Sequence, residues 1–180
     1  MLAIIGTVPD DNFPVLFGKV QPYDNTLSLE GRKISIQRGT PALIASAIKI
    51  FEILGKEPPF VYLVGDTGRG YGSKKLYEFF VKDIKGKNFT TITFPYLLPD
   101  ADWCNKILFA IEELSERPFL IADAGFMYAA KMSGNATEFD LFTPDPGELA
   151  FLADEEAPHP FYTRGFLLQD EDRVEELVQR

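Results

Sequence analysis

Eight residues, Gly65-Asp-Thr-Gly-Arg-Gly-Tyr-Gly72, carry four glycines and lead into Ser73, Lys74 and Lys75. Glycines at 68 and 70 allow positive φ and a close approach of backbone to a ligand. If a helix starts here, amides at Gly70, Gly72 and Ser73 together with the Lys74 ammonium suit an anion. The spacing matches neither the nucleotide P-loop nor the dinucleotide fingerprint, because no Gly-Lys-Ser/Thr occurs and Ser73 stands where a third glycine belongs. A plain strand-to-helix turn is the alternative. Two carboxylates add to the picture. Asp123 follows the apolar run Phe119–Ala122, where an acid can orient a hydroxyl or a metal, or simply cap the next helix. Asp145 lies between two prolines in Thr143-Pro-Asp-Pro-Gly-Glu148, placed to face a ligand, while Glu148 suits the positive end of a helix dipole.

These residues need a scaffold. Four apolar runs, near Leu2, Phe60, Phe119 and Leu141, each break into small or charged residues. Continuous apolar runs are the mark of buried parallel strands, and open α/β sheets bind ligands beyond the strands' carboxyl ends. Strands are expected at Leu2–Gly6, Phe60–Val64, Phe89–Phe94, Phe119–Ala122 and Asp140–Phe142. A helix is expected from a Thr40 cap, with Pro41 at its first position and Gly55 beyond its end; Leu43, Ile44, Ala47, Ile48, Phe51 and Leu54 form its apolar stripe. Further helices are expected at Ser73–Asp83, Asp100–Glu116 with Asp100 as cap, Gly125–Met132, Gly147–Ala153 and Glu171–Arg180. Between the first strand and the first helix, Asp10 to Arg38 is rich in Pro, Gly, Asp and Asn and reads as an extended or hairpin insertion, a lid or an edge that recruits a second subunit. The expected fold is one α/β domain over residues 1–180, a three-layer α/β/α sandwich on a mostly parallel sheet.

Composition narrows the classes of function. A net charge of −9 over 180 residues, with no basic run, opposes nucleic acid and anionic membrane as partners. No run approaches a membrane span and no basic region precedes a signal core, so the cytoplasm is the expected location. One cysteine, Cys104, and one histidine, His159, cannot build a zinc cage, a disulfide or a Ser-His-Asp triad. Cys104 reads as packing.

The order of motifs resembles the ribokinase-like superfamily, and within it the ATP/ADP-dependent NAD(P)H-hydrate dehydratases, which are carbohydrate kinase-related lyases. Ile4-Ile5-Gly6 is similar to that family's first strand, and Gly39-Thr40-Pro41 with its alanine-rich sequel is similar to its Gly-Ala-Pro helix start. The Gly65–Gly72 turn, Asp123-Ala-Gly and, most specifically, Thr143-Pro-Asp-Pro-Gly-Glu148 follow in the same order. The resemblance implies a small-molecule pocket near Thr40, Gly68, Gly70, Asp123 and Asp145, with ATP or ADP and Mg²⁺ as cofactors. It departs where Thr40 replaces the family's alanine and Asp145 its histidine. The family's Gly-Thr-Gly-Asp segment, source of the anion hole and catalytic acid, has no counterpart before Arg180, nor has its nucleotide-holding Lys-Gly. The expectation is thus a protein that binds a nucleotide-like or phosphorylated small molecule, with no residue assigned to catalysis and with a homo-oligomer completing its surface. The alternatives are a non-catalytic metabolite sensor and an unrelated doubly wound protein holding a metal between Asp66, Asp123 and Asp145.

Overall fold

The computed structural model describes residues 1–154. The chain opens with β1 (Leu2–Val8), then four short strands, β2 (Leu16–Lys19), β3 (Gln21–Tyr23), β4 (Thr26–Leu29) and β5 (Arg32–Ser35). Helix α1 (Thr40–Ile53) leads to β6 (Phe60–Gly65), α2 (Tyr71–Asp83), β7 (Thr91–Phe94) and α3 (Ala101–Glu112). After β8 (Phe119–Ala122) come α4 (Gly125–Met132), β9 (Leu141–Phe142) and α5 (Pro146–Ala153). The helix expected at Glu171–Arg180 and the histidine His159 lie outside the described residues.

Six strands form one sheet in the order β2-β6-β1-β7-β8-β9. Every pairing is parallel except β2 with β6. The five parallel strands therefore follow the order 2-1-3-4-5, in which the chain first steps to one side of β1 and then crosses to the other. That reversal separates the two faces. Ala3 and Ile5 of β1 with Tyr62 and Val64 of β6 face α2, α3 and α4, joined by Leu76, Phe80, Ile107 and Phe126. Ile4, Val8, Val61 and Leu63 face the other way, toward Ile44 and Ile48 of α1. Apolar runs without visible alternation are what a strand covered on both sides requires.

The Asp10–Arg38 insertion is part of this second layer. β2 borders the main sheet, and β3, β4 and β5 make a three-stranded antiparallel sheet. The β4–β5 turn has positive φ at both Glu30 (50°) and Gly31 (76°), the backbone of a two-residue hairpin whose twist matches its strands. Val20, Leu27, Leu29 and Ile34 are buried in the same cluster as α1 and β1. The insertion is thus a packed wall rather than a free lid.

Helix ends differ from expectation for identifiable reasons. Thr40 is not a cap: Gly39 holds that position at φ 65°, a conformation that favours glycine, and Thr40 turns inward. Of the α1 stripe, Ile44 and Ile48 are buried whereas Leu43 and Leu54 are exposed, since the sheet meets only a narrow strip of the helix. α2 starts at Tyr71, two residues before the expected Ser73. Asp100 caps α3, accepting from the Trp103 N–H at 3.0 Å. Cys104 is buried, and burial raises its thiol pKa, as its packing role requires.

Candidate functional site

The parallel strands deliver their following loops to one edge of the sheet. At its centre, where the strand order reverses between β1 and β7, four loops meet. Gly6 of β1 has no Cβ, and one placed there would stand 2.4 Å from Thr40 Oγ1 and 2.9 Å from the Pro95 carbonyl oxygen. The start of α1 and the exit of β7 thus close directly over β1. Thr7 Oγ1 donates to the Tyr96 carbonyl at 2.7 Å, and the Tyr96 ring lies against Gly39. Tyr96 itself holds φ at 48° and is half exposed. Gly125 packs against the Leu97 carbonyl, which brings in the loop after β8. Asp123 accepts a hydrogen bond from Thr143 Oγ1 at 2.8 Å, which brings in the loop after β9.

Within this rim, Thr40 stands out. Its side chain is 1% exposed and its hydroxyl has no hydrogen-bond partner among the described residues. An unpaired buried hydroxyl costs free energy on the order of 1–3 kcal/mol. It sits at the positive end of a 14-residue helix whose first amides no side chain caps. The rim therefore offers a donor-rich spot at α1 and a carboxylate at Asp123, a pairing suited to a polar ligand carrying both an acceptor and a hydroxyl.

The carboxylates do different work from that expected. Asp123 does not cap α4, whose N-cap is Ala124 with φ 48°; its side chain ties β8 to β9 instead. Asp145 is the cap of α5. Its Oδ1 accepts from the Glu148 N–H and Glu148 Oε2 accepts from the Asp145 N–H, each at 2.8 Å, a reciprocal capping box. The Asp145 side chain is thereby held by its own helix.

The Gly65–Gly72 loop is organised around an acid that sequence reasoning placed only in a metal alternative. Asp66 is 8% exposed. Its Oδ1 accepts the N–H groups of Gly68, Arg69 and Gly70 at 2.9–3.0 Å, and its Oδ2 accepts the Ser73 N–H at 2.8 Å and the Ser73 hydroxyl at 3.0 Å. Burial alone would raise its pKa, but the amides of Ser73, Gly70 and Gly68 outweigh burial and hold the carboxyl below its ordinary value. The loop has supplied its own anion. The amides of Gly70 and Ser73, expected to receive a ligand, are engaged by Asp66, and Gly72 packs against the Gly65 carbonyl, where a Cβ would clash at 2.0 Å. Lys74 is exposed and its amide donates to the Gly70 carbonyl. The signal that could have found this was an acid directly after a strand and before three glycine-spaced amides.

Gly68 shares the carboxyl edge with Asp123 and Asp145, and its loop meets the β7 exit through Leu98 beside Gly70. β1 and β7 stand between β6 and β8, a lateral separation of roughly 14 Å at about 4.8 Å per strand. Among the described residues no three of Asp, Glu, His and Cys come together as a metal would need. Asp66, Asp123 and Asp145 therefore do not form the pocket of the metal alternative.

Compared with known proteins, the chain is 38% identical over 139 residues to an uncharacterized protein of Methanocaldococcus jannaschii. The match takes in 77% of this chain and 55% of the relative, so the chain spans about half the length of the curated relative it matches. No family model matches the chain, and no solved structure does.

Proposed function

We propose that the protein binds a nucleotide-like or phosphorylated small molecule at the rim formed by Gly39–Thr40, Tyr96, Asp123 and Thr143, as a relative of the NAD(P)H-hydrate dehydratase-like group. One observation carries the reading. The Thr40 hydroxyl is enclosed and unpaired at an uncapped helix start, at the point where the strand order reverses and doubly wound sheets take their ligands. A ligand acceptor would meet the uncapped amides at the start of α1, beside the Thr40 hydroxyl, which packs against Gly6. The order of motifs from Gly6 to Glu148 supports the family resemblance. The Gly70 and Ser73 amides are engaged by Asp66, so in this reading a ligand's phosphate is met at the uncapped start of α1 and not in the Gly65–Gly72 loop. No step of turnover is assigned.

The test is a thermal-shift series with NADH, NADH hydrate, ADP and sugar phosphates, on the wild type and on Thr40→Val and Asp123→Asn. At least one ligand should raise Tm by several degrees in the wild type and by much less in both variants. A shift equal in all three proteins, or none with any ligand, overturns the reading. A homo-oligomer belongs to the same proposal, and sedimentation that finds only a monomer removes it.

A further inference from the structure

A second cleft opens on the far side of β6, and it shares no residue with the rim. It lies between Asp11–Val15, which follow β1, and Gly65–Lys75, and has a volume of about 420 Å³. That is within the range of small-molecule pockets, roughly 300–1,000 Å³. Its walls are fixed by backbone. The Gly65 N–H donates to the Phe13 carbonyl at 2.9 Å, the Asp66 N–H to the Val8 carbonyl at 3.0 Å, and Thr67 donates to Asp11 through both its amide and its hydroxyl. Gly65 admits no side chain there, since a Cβ would come within 1.8 Å of the Asp10 carbonyl. On the side toward the rim, Leu98 packs on Gly70 and its N–H donates to Ser73 Oγ, closing that flank.

Two cations, Arg69 and Lys75, line this cleft, and neither forms an ion pair with another described residue. Its two acids are already committed. Asp66 is surrounded by its loop amides, and Asp11 accepts from Thr67. The two acids balance the two cations in formal charge, but their oxygens are engaged by neutral donors, so the side-chain donors left facing the cavity for a ligand are the Arg69 guanidinium and the Lys75 ammonium. Tyr71, 75% exposed, adds an aromatic face at the cleft's margin. Cations with a fixed backbone frame and an open ring suit a molecule with an acidic group on a planar or apolar body.

We infer that this cleft is a separate site for an acidic small molecule, a phosphate monoester or an aromatic carboxylate, with Arg69 and Lys75 on the acid and Tyr71 against the body. The site is independent of the rim and of the function proposed there.

The experiment titrates ¹⁵N-labelled protein with phenyl phosphate, inorganic phosphate and benzoate at constant ionic strength. Phenyl phosphate should bind with millimolar or tighter affinity, weaken several-fold between 50 and about 300 mM salt, and move the amides of residues 11–15 and 65–75. Arg69→Gln with Lys75→Gln should weaken it at least tenfold; both residues are exposed, and an unchanged Tm shows the fold intact. Tyr71→Ala should weaken phenyl phosphate but not inorganic phosphate. Thr40→Val should leave every one of these values unchanged, which separates failure at the rim from failure here. Affinity unaffected by the double variant, shifts mapping to Gly39 and Asp123 instead, or no binding by any of the three probes overturns the inference.

Discussion

Asp66→Ala would strip five donors of their acceptor at once, in a loop that has no other anion to offer them. A loss of about 2–4 kcal/mol in unfolding free energy is expected, measured by urea titration, with Asp66→Asn intermediate. Thr40→Val should do the opposite: removing an unpaired hydroxyl should leave stability unchanged or raise it by about 1 kcal/mol, while ligand binding at the rim falls. A residue that weakens the fold and strengthens binding is the signature of a site rather than of packing. Gly6→Ala should be costly, since its Cβ would meet both Thr40 and the Pro95 carbonyl. Much of this scale was visible beforehand. Asp123 is a candidate from its position after a strand and Thr40 from the family resemblance alone; both lie among the loops at the reversal of strand order. What spacing could not show was whom each side chain would bond. Asp145 and Asp123 both precede helices, yet one caps and the other bridges two strands. Only the three-dimensional neighbourhood of Thr143 makes that difference.

At the scale of elements, β1 and β6 are legible as apolar runs because both their faces are buried, whereas β7 carries Thr91 and Thr93 and is legible from its β propensity. β8 and α4 match their expected bounds. The insertion was harder, since its four strands are three or four residues long and its polar positions follow no single period. Its packing makes a prediction. Leu27→Ala or Ile34→Ala should each cost about 2–4 kcal/mol, close to the cost for a β1 residue, because each is 1% exposed beneath the same cluster. Hydrogen exchange should protect β4 and β5 together with β1 and β6. If the arm exchanged freely while the main sheet stayed protected, it would be a lid after all.

The whole molecule carries excess negative charge, and its acid response follows from two carboxyls. Asp66 is held below its ordinary pKa by its loop amides against burial. Asp140 is held below its own by the Leu120 N–H first and by Arg117 beside it. For both groups the folded pKa lies under the unfolded one. Their stabilisation is therefore fully present above about pH 5 and is lost as pH falls through the usual carboxylate range, near 4, toward the folded values. Thermal unfolding between pH 7 and 3 should show Tm falling below pH 5, with a shallower fall in Asp66→Asn. No helix among the described residues is long and apolar enough to cross a membrane.

Because Asp66 acts as a built-in counter-ion for the turn around it, that turn needs no visitor to take its shape. Capture in the neighbouring cleft should accordingly proceed as a single bimolecular event. Stopped-flow traces with phenyl phosphate should give an observed rate rising linearly with concentration, with no plateau from a slow rearrangement. Saturation of that rate would mean that the turn still has to reorganise before it can hold its guest.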